Sequence, residues 1–364
     1  MSDRDFQWKD PQDLPEEVQN QYYQNDEVLE QHRKRLVGGR ILIAYFVVLV
    51  AVMVASALIM FAVYPNFALI PGYLERTDPT FVTVLDQENV DYPYAVTVTG
   101  TVTNTGEDTV PYLEVYLDIY DENEDLIGTY VVTTENILSG DTWNYEETIQ
   151  MNFEPMSVVV SSVIVNIPPR VSVIINLSQV LITLILFVFI DKMGFITDWQ
   201  RTKKSFGTFL VQVTTGIIAV LAVLYLSSYV LQLLGVTTTS ENEMTIMSMF
   251  TADPVQLVLL FLMLVVITPI VEEMVFRKAL FMIIEPRLGS ILAIVLSGAV
   301  FGLMHVLAGQ DFIQAIPYVA MGMTLGFIYH NSKKNIYVTI TVHALNNLIP
   351  YVIYLLAAYG ISIY

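Results

Sequence analysis

The chain has no cysteine among its 364 residues, which excludes disulfides, thiolate metal sites and cysteine nucleophiles. Positive charge is scarce: 17 Lys and Arg stand against 36 Asp and Glu, a formal net charge of −19. Phosphate binding needs clustered Lys and Arg, so no nucleic-acid partner is expected. Charge of either sign is sparse as well, at 15% of residues, while 54% are hydrophobic and the mean hydropathy is +0.55. Soluble domains average roughly 45–50% apolar and about 25% charged residues. A uniform solvated globule is therefore excluded, and the charge must be segregated along the chain.

Residues 1–40 hold nine acids and six bases. From Ser2 to Glu30 aliphatics are too few for a core, so 1–40 is expected to be a largely disordered cytoplasmic tail, with at most a short helix at its end. Arg33, Lys34, Arg35 and Arg40 close it. Ile41–Tyr64 then runs without a charge, long enough for a first transmembrane helix (41–64). It starts too late and runs too long for a cleavable signal peptide. Residues 65–170 carry eighteen acids but only two bases, Arg76 and Arg170. Six further apolar spans follow within 171–364: Val171–Ile190, Gly207–Gly235, Pro254 to about Ile284, Ser290–Ala308, Phe312–His330 and Ile336–Tyr359. The expected fold class is thus a multi-pass all-α membrane protein of about seven transmembrane helices with one extracytoplasmic domain. Lys192, Arg201, Lys203, Lys204, Arg287, Lys333 and Lys334 all fall in alternate loops, whereas the other loops carry Glu241, Glu243, Asp253 and Asp311 and no base. The positive-inside rule puts the N-terminus and the basic loops in the cytoplasm, and 65–170 and the C-terminus outside.

Within 65–170 the hydrophobic period becomes two. Phe81–Leu85, Tyr94–Thr103, Leu113–Tyr120, Ile127–Thr133, Thr142–Met151 and Ser157–Ile164 read as strands rich in Val, Ile, Thr and Tyr. Turn clusters such as Asn104-Thr105-Gly106 and Ser139-Gly140-Asp141 separate them. This pattern predicts an immunoglobulin-like β-sandwich. The acids Asp121, Glu122, Glu124 and Asp125 are read as a solvated hairpin tip, with a calcium loop as the alternative. Gly100–Asn104, Tyr116–Asp121 and Leu138–Asp141 together resemble the FxLYD-type extracytoplasmic sandwich of bacterial surface proteins. That resemblance implies a fold and names no ligand.

Ionisable groups inside membrane helices are costly, so the few present are functional candidates. The Pro254–Ile284 span contains Pro269, Glu272, Glu273, Arg277 and Lys278. Glu273 and Arg277 are i,i+4 neighbours able to pair on one face. Glu272 is turned about 100° away and is left free to face a cavity. Pro269 removes a ladder bond and bends the helix just before the pair. Phe301 and His305 lie in the next span, where the imidazole is the only ionisable group after Ser290. His343 and Asn347 share a face of the last span. Counted from the inner turns, Glu272 and His305 lie at about 21 and 24 Å, but His343 at only about 12 Å, so the match in depth is partial. Gly298/Gly302 and Gly322/Gly326 mark close helix contacts.

Peptide hydrolysis suits these groups: a carboxylate activates water, while His and Asn donors face the oxyanion. A zinc ion held by Glu and two His is the nearest chemical rival. No inverted repeat supports a transporter.

In this order, Glu272-Glu273-x-x-x-Arg277, Phe301-x-x-x-His305 and His343-x-x-x-Asn347 resemble the CPBP family, the CAAX-protease-related intramembrane glutamic endopeptidases also called Abi proteins. The resemblance covers roughly 170–358. It implies catalysis without a cofactor, with Glu272 activating water and His305 assisting. His343 and Asn347 would stabilise the oxyanion, and Glu273, Arg277 and Phe301 would shape the site. Gly309 stands where some members have Asn, so no amide acts there. The substrate implied is a membrane-associated peptide or protein within the lipid bilayer, and 65–170 could engage an extracytoplasmic partner. Bacteria generally lack prenylated CAAX proteins, so that substrate is not carried over. A non-catalytic bacteriocin-immunity or scaffold protein is the alternative function.

Overall fold

The computed structural model describes residues 16–63, 66–85, 92–236 and 239–361. The chain divides into two compact units, one of Met1–Ala51 with Val173–Tyr364 and the other of Val52–Ser172.

Among its described residues the second unit holds seven strands: β1 (Leu74–Arg76), β2 (Thr80–Leu85), β3 (Tyr94–Asn104), β4 (Val110–Tyr120), β5 (Leu126–Ile137), β6 (Thr142–Met151) and β7 (Ser157–Asn166). All pairings are antiparallel. β3 is flanked by β6 on one side and by β1 and β2 on the other, and β4 lies between β5 and β7. Alternate residues of both sheets, among them Val96, Val98, Leu113, Val115, Leu117, Val132 and Val158, form one buried cluster. Every strand expected from the period-two pattern is present, some extended by a few residues. Only β1, three residues long, gave no signal. At the β4–β5 turn Asp121 Oδ1 accepts hydrogen bonds from the backbone N–H groups of Asn123 (2.8 Å) and Asp125 (2.9 Å). Those bonds hold its carboxyl below the usual carboxylate range. The acid cluster thus has the internal bonding of a hairpin tip.

Helix α1 spans Glu16–Val63, with Glu16–Ala51 in the first unit. This corrects the expected tail over 1–40 from Glu16 onward; residues 1–15 lie outside the described residues. Residues 16–36 contain neither Pro nor Gly and are rich in Glu, Gln, Arg and Leu, all good helix formers. Joined to an apolar helix, such a stretch needs no separate nucleus.

The remaining helices are α2 (Pro169–Ile190), α3 (Lys192–Lys204), α4 (Phe206–Leu233), α5 (Glu241–Ser248), α6 (Pro254–Leu260), α7 (Thr268–Glu273), α8 (Met282–Val306), α9 (Ala315–Asn331) and α10 (Ile336–Ala358). Two π-helical stretches, Phe261–Ile267 and Met274–Phe281, lie on either side of α7. Among the described residues six helical stretches are long and apolar enough to cross a membrane, against the seven spans expected. The difference lies in Pro254–Val306, counted as one stretch of 53 residues although two helices meet within it at a non-helical Gly289. Inside it Gly289 has φ 80° and ψ 166°, a conformation open to glycine at little cost. The chain doubles back there: Phe276 and Phe301, 25 residues apart, stack edge-on with ring centroids at 5.1 Å. Helical winding continues past Arg277 as expected and runs through Pro286 to the break at Gly289, which lies between the two expected spans.

α8 and α9 then pack at backbone distance. A Cβ on Gly302 would lie 2.5 Å from the Val319 nitrogen, and one on Gly298 would lie 2.5 Å from that of Met323. Gly322 likewise faces the Gly298 carbonyl at 2.8 Å, while Gly326 has ordinary spacing. Gly302→Ala should therefore cost about 1–3 kcal/mol through overpacking, read as a lowered melting temperature in detergent. An unchanged melting temperature would contradict the close contact.

The basic loops gather at one end of this bundle. Lys278 Nζ lies 2.6 Å from Asp198 and 3.7 Å from Asp191, Lys334 Nζ lies 2.5 Å from Glu285, and Arg201 donates to the Lys333 carbonyl. At the opposite end α5 is tied down by Ser240 and Asn242 on Tyr318 and by Glu243 on Tyr354. Lys192–Lys204, expected as a loop, is helical because Asp198 and Thr202 turn inward to Lys278 and Asn335.

Candidate active site

Glu272 and Glu273 end α7, and their separation on the helix decides their partners. Glu273 is fully buried and accepts from Arg277 Nε at 3.0 Å, one turn on. Its other oxygen faces His343 Nδ1 at 3.1 Å. Thr339 lies beside the same carboxylate. Arg277 is equally buried, and its guanidinium sits 5.6 Å from the centre of the Phe301 ring. Among the described residues its two Nη groups have no protein acceptor.

Glu272 is turned away from this pair, and its side chain is 20% exposed. Two imidazoles approach it: His343 Nε2 lies 3.5 Å from Oε2, and His305 Nε2 lies 4.0 Å from Oε1. His305 Nδ1 lies 2.8 Å from the Phe301 carbonyl. A carbonyl only accepts, so Nδ1 carries a proton, and in the neutral ring Nε2 presents a lone pair toward Glu272. Two acceptors form no hydrogen bond with each other, and a water donating one hydrogen to each would bridge them. Phe301, 1% exposed, packs against His305 at 4.6 Å and His343 at 5.8 Å between ring centroids.

The mismatch in depth expected for His343 disappears when heights are taken from the polar contacts. Lys278, about 9 Å along the helix from Glu272, meets Asp198, while Asn335, about 12 Å from His343, meets Thr202 of the same α3. The inner turn before Gly289 was the wrong reference, because that helix runs on beyond Lys278.

Asn347 is placed differently from the expectation of an amide facing the reaction centre. Its Nδ2 donates to the Leu264 carbonyl at 3.0 Å. The reason is local. Thr268 N–H bonds the Met263 carbonyl, and position 269, which would serve Leu264 in a π-turn, is proline and has no N–H. Asn347 thus satisfies a carbonyl that the widened turn leaves without a backbone donor, and one hydrogen of its Nδ2 remains. Asn347→Ala should cost about 1–3 kcal/mol for the unpaired carbonyl. The loss should shrink in a Pro269→Ala background, where residue 269 regains its N–H; thermal denaturation of the four proteins tests this, and additive losses would contradict it.

Glu272, Glu273, Arg277, Phe301, His305 and His343 are therefore brought together, and Asn347 borders them through Leu264. Tyr318, whose ring lies on His305, and Tyr45 of α1, within electrostatic reach of Glu272, were missed. Neither belongs to a motif, and a tyrosine in an apolar run gives no signal. Among the described residues no three His, Asp or Glu side chains are grouped as a metal ion requires.

Residues 254–349 match the profile of the Type II CAAX prenyl endopeptidase Rce1-like family, about a quarter of the chain. A stretch of 113 residues is 31% identical to YdiL of Bacillus subtilis (strain 168), which is named as a candidate membrane peptidase. It covers 31% of this chain and 43% of that protein. An uncharacterized protein of Mycoplasma capricolum subsp. capricolum is 30% identical over 124 residues, 33% of this chain and 36% of the relative. The chain thus spans less than half the length of either relative. No solved structure matches it significantly.

Proposed function

We propose that this protein is an intramembrane endopeptidase of the glutamic type, hydrolysing a peptide bond in a hydrophobic or membrane-tethered protein. One observation carries the reading: the Glu272 carboxylate, left free by the Glu273–Arg277 pair, faces two imidazole nitrogens inside an otherwise apolar bundle. The similarity of 254–349 to a peptidase family supports it.

In this reading water bound between Glu272 and His305 gives a proton to Glu272 and attacks the scissile carbonyl. His305 accepts the second water hydrogen through Nε2, which orients the oxygen lone pair. His343, held through Nδ1 by Glu273, offers Nε2–H to the oxyanion when its ring is protonated; such a donor is commonly worth about 2.7–4 kcal/mol. The remaining hydrogen of Asn347 Nδ2 is a second donor. Glu272 then returns its proton to the leaving amine, which balances the reaction. Glu273, Arg277 and Phe301 hold the two imidazoles. No cofactor enters the scheme; a zinc ion on Glu272, His305 and His343 is the rival mechanism, and chelators separate the two.

The N-terminus and basic loops are assigned to the cytoplasm of a bacterial cell, and 65–170 to the outside as an FxLYD-like sandwich that engages a partner. Comparing new peptide termini in membranes from wild-type and Glu272→Gln cells tests the function. Fragments of one or more membrane proteins should vanish in the variant. Identical terminal profiles, with a phenotype lost only on deletion of 75–165, would instead establish the non-catalytic scaffold.

A further inference from the structure

We infer that Tyr318 is a positioning residue for His305 and that it couples the imidazole to α5, which covers that end of the bundle. The inference rests on the reading of His305 as part of the reaction centre. The Tyr318 ring lies nearly parallel to the imidazole, 18° apart with centroids at 4.7 Å. Its hydroxyl lies 2.9 Å from Ser240 Oγ and accepts from Asn242 Nδ2 at 3.3 Å. Ser240 is the N-cap of α5, accepting from the Glu243 N–H, and Asn242 lies in the first turn. One tyrosine therefore touches His305 with its face and the cover with its tip.

The stack is built into the helix packing. Gly302 and Val319 meet at backbone distance, which brings His305, about one turn past Gly302, within ring contact of Tyr318, the neighbour of Val319. Besides the Phe301 ring at 4.6 Å between centroids, two contacts constrain His305. The Phe301 carbonyl fixes its Nδ1, and the Tyr318 face fixes the tilt of the ring, which aims Nε2 at Glu272. The cover has further ties that do not involve the imidazole: Glu243 bonds Tyr354, and Gln256 holds the Met249 carbonyl. Displacing α5 would release the tyrosine hydroxyl and leave the stacked ring in place over His305.

The test uses the full chain with histidine labelled for NMR. It has four histidines, so His305→Gln assigns the signal of interest. Tyr318→Leu should shift the His305 ring resonances by removing the ring current. It should also lower kcat by about 10²-fold with little change in KM, as misorientation of a reacting group does. Tyr318→Phe should restore both the shift and most of kcat. Ser240→Ala/Asn242→Ala, which leaves the stack in place, should keep the His305 signal while speeding amide exchange over 240–250. An unmoved His305 signal in Tyr318→Leu, or a kcat equal to wild type, would overturn the inference. Should Tyr318→Leu not fold, exchange over 240–250 in Tyr318→Phe decides: no increase over wild type overturns the coupling. A wild-type protein that hydrolyses nothing while the NMR arm behaves as stated would overturn the protease reading instead.

Discussion

Glu272→Gln should leave a folded protein whose hydrolytic rate is lower by about 10²–10⁴-fold, the usual contribution of a general base. The substitution keeps the size of the side chain and removes its charge and its ability to take a proton. Glu272 forms no pair with Arg277, so its amide should fit without disturbing the Glu273–Arg277–His343 cluster. Melting temperature should therefore stay near wild type while turnover collapses. Measured together, the two quantities separate a chemical role from a structural one. A variant with wild-type turnover would remove Glu272 from the mechanism.

The opposite outcome is expected for Arg277. Both Arg277 and Glu273 are fully buried, and removing one member of such a pair strands the other charge at about 3–5 kcal/mol. Arg277→Met should lower stability by that amount and lower activity as well, since Glu273 also holds His343 at 3.1 Å. Adding Glu273→Gln should recover part of the stability, because no unpaired charge then remains. It should not recover activity, since His343 loses its charged partner. Thermal denaturation of both single variants and the double variant yields the coupling; equal losses in Arg277→Met and in the double variant would contradict the pairing.

Much of this cluster was legible because membrane helices contain so few polar groups. Against an apolar background Glu272, Glu273, Arg277, His305 and His343 stand out, and helical spacing alone settles which glutamate Arg277 takes. The sheets were legible for a similar reason, since period two with turn residues between runs leaves few alternatives. Asn347 was not legible. Its partner is the Leu264 carbonyl in the π-wound stretch ahead of Pro269, 83 residues away in the chain. α3 and α5 escaped detection because each is short and polar and is held by contacts across the bundle: Asp198 to Lys278 in one, Ser240 to Tyr318 in the other. The helical stretch from Glu16 was missed on composition, since a sequence too polar for a core can still extend an apolar helix that is already formed.

The proposed chemistry is tested most directly by purified full-length protein in lipid vesicles with a membrane-peptide substrate, in ¹⁸O-labelled water containing a zinc chelator. The account predicts continued cleavage, one ¹⁸O in each new carboxyl group, and none of either with Glu272→Gln. Cleavage that stops with the chelator and returns with zinc would contradict it, as would equal cleavage by both proteins.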